Sequence, residues 1–186
     1  MNKRKPQMGV RIIGGILKRS KIEVLDHEGL RPTPDRVRET LFNWLMPALP
    51  GAIVVDCFAG SGVLGLEALS RGASKCIFIE KDRAVADQLQ KNLDRFQLTS
   101  QAEVTRADVF QVAQELPQGA DIIFADPPFH HGMSQHFLTW IRDKVQPDSR
   151  LVIEHERDQD LDLRGFEVIR ELKAGIDWLR LLRRTS

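Results

Sequence analysis

Four residues carry the most specific chemistry in this chain: Asp126, Pro127, Pro128 and Phe129. Two prolines fix their own φ and remove two N–H donors, so the carbonyls around them stand as rigid acceptors. The set suits a planar group bearing an NH₂. Asp126 and the Pro127 carbonyl accept the two amine hydrogens, and Phe129 stacks on the ring. The lone pair of an exocyclic base amine is delocalised into its ring, which makes that nitrogen a poor nucleophile. Holding both N–H bonds in a tetrahedral-like arrangement directs the lone pair at an electrophile brought within about 3–3.5 Å, in line with its leaving group. Asp126 would orient the amine and favour its developing positive charge, with the proton lost during or after transfer. A base enters such a pocket only when it is unstacked or flipped out.

The electrophile has its own signature. Asp56-Cys57-Phe58-Ala59-Gly60-Ser61-Gly62-Val63-Leu64-Gly65 contains G-x-G-x-x-G, and Glu80 follows Asp56 by 24 residues. Between a strand and a helix this weak pattern acquires meaning, and an acid ending the next strand is placed to accept from ribose hydroxyls. A dinucleotide would set its pyrophosphate on the helix N-terminus. Asp56 would repel that group, whereas it suits a ligand with an ammonium and a sulfonium. The residues therefore favour S-adenosyl-L-methionine over a nicotinamide cofactor, and methylation of an amine as the reaction. Asp108, after a further strand, stands where an adenine amino group would be held.

These residues need a frame. Val10–Leu17 and Ile22–Leu25 read as a β-hairpin or ribbon. Thr33 before Pro34 predicts an N-cap with proline at the first helical position. Val37, Leu41, Trp44 and Leu45 then recur at helical spacing until Pro47 and Pro50-Gly51 stop the helix. From residue 52 the chain alternates strands (52–56, 76–80, 103–106, 121–126, 150–154) with helices near 62–70, 83–96, 109–115 and 134–144. Runs at 166–172 and 176–182 flank Lys173-Ala174-Gly175 and predict a terminal hairpin. The fold class is α/β: a mostly parallel sheet with helices on both faces and an antiparallel edge. In such sheets ligands bind beyond the strand carboxyl ends where strand order reverses. Asp56, Glu80, Asp108 and Asp126 all follow strands. Trp140, spaced with Phe137, reads as core. His130 and His131 read as a solvated loop or a phosphate contact rather than metal ligands.

The 186 residues, 42% of them hydrophobic, fit one domain with a short appendage. No apolar run approaches the roughly 20 residues that span a bilayer, and no signal-type stretch follows the basic start, so a cytoplasmic protein is expected. Cys57 and Cys76 sit in strand-like runs as small hydrophobes, with no zinc or disulfide spacing. The net charge of +1 conceals an asymmetry. Residues 1–38 hold ten Lys/Arg and four Asp/Glu (+6), residues 164–186 six and three (+3), and residues 39–163 eleven and nineteen (−8). A polyanion is drawn to the ends. Residues 1–50 are accordingly read as a basic extension contacting RNA and the cofactor pocket, and residues 51–186 as the methyltransferase domain. Lys3, Arg4, Lys5, Arg11, Lys18, Arg19, Arg31 and Arg36 are the candidate RNA contacts.

With these residues in hand, the chain resembles the RsmD family, bacterial methyltransferases of guanine N2 in small-subunit (16S) ribosomal RNA. The resemblance is carried by Arg11-Ile12-Ile13-Gly14-Gly15, the stretch Arg31 to Phe42, Asp56 to Gly62, and Asp126 to Phe129, and it runs from about residue 10 to the last strand. It implies a seven-stranded Rossmann-like class I methyltransferase fold acting on an assembling small ribosomal subunit; a monomer without metal or membrane is expected. It also implies that Arg31 and Thr33 border the methyl-donor pocket, beside Asp56, Phe58, Ala59, Gly60, Ser61, Gly62, Glu80, Lys81, Asp108 and Val109. Guanine over adenine comes from the resemblance alone. The residues themselves leave open an adenine-N6 or other amino-methyltransferase acting on DNA or another RNA, a nicotinamide-dependent oxidoreductase, and a non-catalytic RNA-binding protein.

Overall fold

The apolar runs Ile53–Asp56 and Ile122–Ala125 lie side by side at the centre of a seven-stranded sheet, buried on both faces, which is why they read as continuous rather than alternating. The computed structural model describes residues 6–25, 33–112, 119–128, 132–157, 159–175 and 177–185, with backbone alone for 6–8. In chain order the elements are β1 (Pro6–Arg11), β2 (Lys21–Leu25), α1 (Asp35–Leu45), a 3₁₀ turn (Met46–Ala48), β3 (Ile53–Asp56), α2 (Val63–Ser70), β4 (Lys75–Ile79), α3 (Arg83–Arg95), β5 (Ala102–Thr105), a second 3₁₀ turn (Val109–Gln111), β6 (Ile122–Ala125), α4 (Met133–Ile141), β7 (Arg150–Glu156), β8 (Phe166–Ala174) and β9 (Asp177–Arg184). The sheet order is β5-β4-β3-β6-β7-β9-β8. Pairings are parallel from β5 to β7, while β9 runs antiparallel to both β7 and β8. The mostly parallel α/β sheet expected from the alternating pattern is observed, with the seven strands of the Rossmann-like class I architecture that the resemblance implies.

The order matters for function. The chain winds outward from β3 through β4 to β5, then returns to lay β6 and β7 on the other side of β3. Strand order therefore reverses between β3 and β6, and the crevice beyond their carboxyl ends is the expected ligand site. Asp56 ends β3 and Asp126 follows β6.

One face of the sheet is covered by α1, α2, α3 and the small β1–β2 sheet, in a core that joins Ile12, Ile22 and Val24 to Leu41, Phe42, Leu66 and Phe78. The other is covered by α4, through Phe137, Leu138 and Ile141. All eight residues of α2 are buried, so its sequence is apolar nearly all round. A Cβ on Gly65 would lie 2.6 Å from Cys76 Sγ and overlap the Phe78 ring, so this glycine sets how closely α2 approaches β4.

The N-terminal ribbon is docked by polar contacts as well. Asn92 on α3, 1% exposed, accepts from the Glu23 N–H at 3.1 Å and donates to the Glu23 carbonyl at 2.8 Å, and so completes one edge of β2. Arg38 on α1 is fully buried and donates to Asp35 Oδ1 (2.6 Å) and the Arg11 carbonyl (2.9 Å). Its Nη1 lies 3.8 Å from Glu67 on α2, also fully buried; Glu67 in turn accepts from Ile13 N–H (2.8 Å) and Arg71 Nε (2.7 Å).

Several boundaries differ from expectation. The first strand of the ribbon is Pro6–Arg11, and Gly14–Arg19 form the turn. Pro34, not Thr33, occupies the N-cap of α1, and since proline has no side-chain acceptor the helix starts without a side-chain cap, while the Thr33 hydroxyl donates to Glu154. The apolar face of α1 is Val37, Leu41, Phe42 and Leu45, with Trp44 half-buried beside it. Of the helix expected at 109–115, the 3₁₀ turn Val109–Gln111 is seen, and 113–118 fall outside the described residues. No helix among the described residues is long and apolar enough to cross a membrane.

Candidate active site

The crevice between β3 and β6 opens into a cavity of about 780 Å³. That volume is in the range of small-molecule and cofactor sites. Its walls bring together most of the residues singled out in the sequence: Thr33 and Arg36 from the segment entering α1, Asp56 to Ser61 after β3, Glu80 and Lys81 after β4, Asp108 and Val109 after β5, and Asp126 to Pro128 after β6. Phe129, Arg31, His130, His131 and Lys3 to Lys5 lie outside the described residues.

The turn after β3 is built by its glycines. Gly60 and Gly62 have φ of 51° and 75°, and Gly62 caps α2. A Cβ on Gly62 would also overlap Leu89 Cδ1, so this position combines a left-handed backbone with no room for a side chain. Gly62 lies behind the turn rather than on the cavity wall. Glu80 holds the turn in place: Oε2 accepts from the Gly60 N–H at 2.9 Å and Oε1 from the Asp82 N–H at 2.7 Å. It thereby ties the glycine turn to the start of α3, whose own cap is Asp82, accepting from Ala84 and Val85 N–H. Asp108 caps the second 3₁₀ turn, accepting from Phe110 N–H at 3.0 Å. These carboxylates thus do structural duty while lining the cavity.

Asp56 is 2% exposed and accepts from the Gly65 N–H at 3.2 Å. Burial pushes its carboxyl up to about 7, with that hydrogen bond lowering it and Glu80 raising it further. Burial, then Asp56 and Asp177, push Asp126 up to about 7. Glu154 on β7 reaches about 8, through burial and then Asp126 and Asp177, against the lowering effect of its hydrogen bond from Thr33 Oγ1 (3.3 Å). The cavity gathers acids faster than it gathers cations. Asp56, Asp126 and Glu154 are held toward neutrality by burial and then by neighbouring carboxylates, and a positively charged ligand would relieve that repulsion.

Glu154 and Asp177 are members of the site that sequence reasoning missed. The strand-end rule could have found Glu154, since the neighbouring strand β6 stops opposite Ile153. Asp177 opens β9 and reaches the cavity through antiparallel pairing with β7, for which the sequence offers no local signal.

The candidate RNA contacts are spread out. Arg36 is exposed at the cavity wall. Arg11 is exposed at the end of β1. Lys18 and Arg19 are exposed in the turn, which Ile16 and Leu17 N–H pin to Ser70, the last residue of α2. That is the end of α2 away from the cavity, roughly 12 Å along an eight-residue helix.

The comparisons with known proteins agree over nearly the whole length. A family model described as Conserved hypothetical protein 95 matches residues 10–183. The ribosomal RNA small subunit methyltransferase D of Haemophilus influenzae is 42% identical over 179 residues, 92% of each chain. The protein of the same name from Escherichia coli strain K12 is 41% identical over 181 residues, 95% of this chain and 91% of its own. The solved structure of yhhF from Escherichia coli superposes with a TM-score of 0.82 at 40% identity, covering 95% of this chain and 98% of that one. On this extent of match the chain belongs to the Conserved hypothetical protein 95 family, which is the RsmD family.

Proposed function

We propose that the protein is an S-adenosyl-L-methionine-dependent ribosomal RNA methyltransferase that modifies the exocyclic N2 of a guanine in small-subunit (16S) RNA, as a monomer acting on an assembling particle in the cytoplasm. The observation that carries the reading is the convergence of Asp126 and Pro127 with Asp56 on one acid-rich cavity at the sheet's switch point. The names of the relatives support RNA as the substrate.

The residues present fit the donor. It is cationic at sulfur and at its amino group, and the excess of buried carboxylates suits that charge while opposing a pyrophosphate. Asp56 and the Gly60–Gly62 turn would hold its amino-acid end, Glu80 and Lys81 its ribose, and Asp108 and Val109 its adenine, with Phe58 and Thr33 on the wall. When bound, the donor supplies an electrophilic methyl group. The chain's own part is orientation. Asp126 and the Pro127 carbonyl accept the two amine hydrogens and aim the nitrogen lone pair; Pro128 and the following Phe129 fix and stack the base. Arg36, with Lys3, Arg4, Lys5, Arg11, Lys18, Arg19 and Arg31, would hold phosphates.

The decisive experiment is transfer of labelled methyl groups to small-subunit particles that lack the modification, followed by mass-spectrometric identification of the product nucleoside. N2-methylguanosine, formed by the native chain and abolished by Asp126→Ala, is the expected result. Methylated adenosine, or no transfer, would overturn the reading.

A further inference from the structure

Resting on the proposed methylation of a base amine, we propose that Glu154 is the residue that selects guanine, by accepting a hydrogen bond from its ring N1–H beside the amine held by Asp126 and Pro127. The proposal begins with register. Ala125 on β6 pairs with Ile153 on β7 in parallel, so Asp126 and Glu154 leave neighbouring strands at the same level. Strands in a sheet stand about 4.8 Å apart. Side chains at paired positions on neighbouring strands can therefore reach one small ligand. Both residues line the same cavity, and Glu154 is near enough to feel the charge of Asp126.

The chemistry then separates the bases. Guanine presents N1–H and the two N2–H bonds in a row, three donors on one side of the ring. Asp126, the Pro127 carbonyl and Glu154 supply three acceptors. With Glu154 ionised, the form that a cationic donor in the same cavity favours, a base with an unprotonated ring nitrogen beside its amine, as in adenine, places a lone pair against the carboxylate instead. A buried acceptor facing a lone pair loses its hydrogen bond and is repelled. The Thr33 hydroxyl, 3.3 Å from Glu154 Oε2, fixes the side chain from the α1 side. The carboxylates here form no metal-binding group among the described residues, so a hydrogen-bonding role for Glu154 has no such competitor.

The test uses 2-aminopurine, which keeps the 2-amino group of guanine but has a lone pair at N1. Small-subunit particles carrying guanine or 2-aminopurine at the modified nucleotide are methylated by the native chain and by Glu154→Gln. A glutamine amide can turn either its oxygen or its NH₂ toward N1. The native chain should prefer guanine by roughly 10- to 100-fold, the span of one base-edge hydrogen-bond pair. In E154Q the guanine rate should fall and the preference should shrink to within a few fold, while affinity for S-adenosylhomocysteine is retained. A guanine preference that survives in E154Q overturns the assignment and leaves the methylation reading standing. A variant that loses S-adenosylhomocysteine affinity along with activity would also count against it, by marking Glu154 as a donor-binding or structural residue. A native chain that methylates neither particle overturns the methylation reading and the proposal with it.

Discussion

Asp126 and Glu154 leave adjacent parallel strands side by side, and burial raises both carboxyls, Asp126 further through Asp56 and Asp177 and Glu154 further through Asp126 and Asp177. The groups facing them are Asp56 from β3 and Asp177 from β9, with the Thr33 hydroxyl on the α1 side. Carboxyls raised to about 7 and about 8 retain protons in the folded state that the unfolded chain has already lost above about pH 5. Stability must therefore fall as pH rises through that range. His155, which burial lowers, acts oppositely: its folded form resists the proton, so stability falls as pH drops below about 6.5. The three raised carboxyls outweigh the one histidine, so the ligand-free protein should lose several degrees of Tm between pH 5 and pH 9, at roughly 2–4 °C per kcal/mol. Asp126→Asn should flatten the alkaline slope. A melting temperature that climbs from pH 6 to pH 9 would refute this account of the cavity.

The same electrostatics predict how the ligand acts. A cationic donor pairs with ionised carboxylates and poorly with neutral acids. S-Adenosylmethionine should therefore raise Tm more at pH 8.5 than at pH 5.5, and more than S-adenosylhomocysteine does at the higher pH, since the latter lacks the sulfonium charge. Equal stabilisation by the two ligands at both pH values would show that the acid cluster does not sense the sulfur.

What the sequence revealed and what it hid follow from the range of each interaction. Asp56, Glu80 and Asp126 were legible because each sits beside a strand end in a βα pattern, and the rule linking such ends to ligands is local. Glu154 obeys the same rule relative to β6, but β7 continues to Glu156 because β9 pairs with it beyond the point where β6 stops. In the sequence it also ended an expected strand, 150–154, but with no Gly-rich turn or Asp-Pro-Pro-Phe motif beside it to mark that end as a ligand site. Thr33 shows the converse: its local pattern with Pro34 predicts a helix cap, yet the hydroxyl is spent on Glu154, distant in sequence. Arg38 belonged to a basic stretch in the sequence and is buried in the fold, its charge answered by Asp35 and Glu67.

That buried pair has a measurable weight. Arg38 and Glu67 are both fully buried, and Glu67 also receives the Ile13 N–H and Arg71. Removing one partner of a buried ion pair leaves an uncompensated charge and costs about 3–5 kcal/mol. Glu67→Ala should lower Tm by roughly 6–20 °C on the scaling above. It should also loosen the Ile13 segment, read as faster amide exchange there. A variant within about 1 °C of the native Tm would mean that Arg38 finds its compensation in Asp35 and the Arg11 carbonyl alone.

Gly62 tests the turn itself. Alanine there must hold φ near 75° and displace Leu89 from the wall of α3. A left-handed non-glycine residue costs about 1–3 kcal/mol, and overpacking adds a similar amount. Because Glu80 and Asp56 both bind backbone N–H groups of this segment, the strain should reach the cavity. Gly62→Ala should lose at least tenfold in S-adenosylhomocysteine affinity, by calorimetry, together with stability. Native affinity in a destabilised variant would confine the role of Gly62 to folding.

The basic residues differ in position, and their contributions should differ in kind. Arg36 stands at the cavity wall, whereas Lys18 and Arg19 flank the far end of α2. Each phosphate contact contributes close to one unit of slope when log affinity is plotted against log salt. If Arg36 holds a phosphate next to the flipped base, Arg36→Ala should weaken binding to small-subunit particles, reduce that slope by about one, and lower the methylation rate at saturating substrate as well. Replacing Lys18 and Arg19 together with alanine should reduce the slope by up to about two and leave the saturated rate near its native value, because those contacts lie a helix length from the chemistry. An unchanged slope for either variant removes its residues from the RNA interface. An unchanged saturated rate for Arg36→Ala with a reduced slope would make it an anchoring contact rather than one that positions the base.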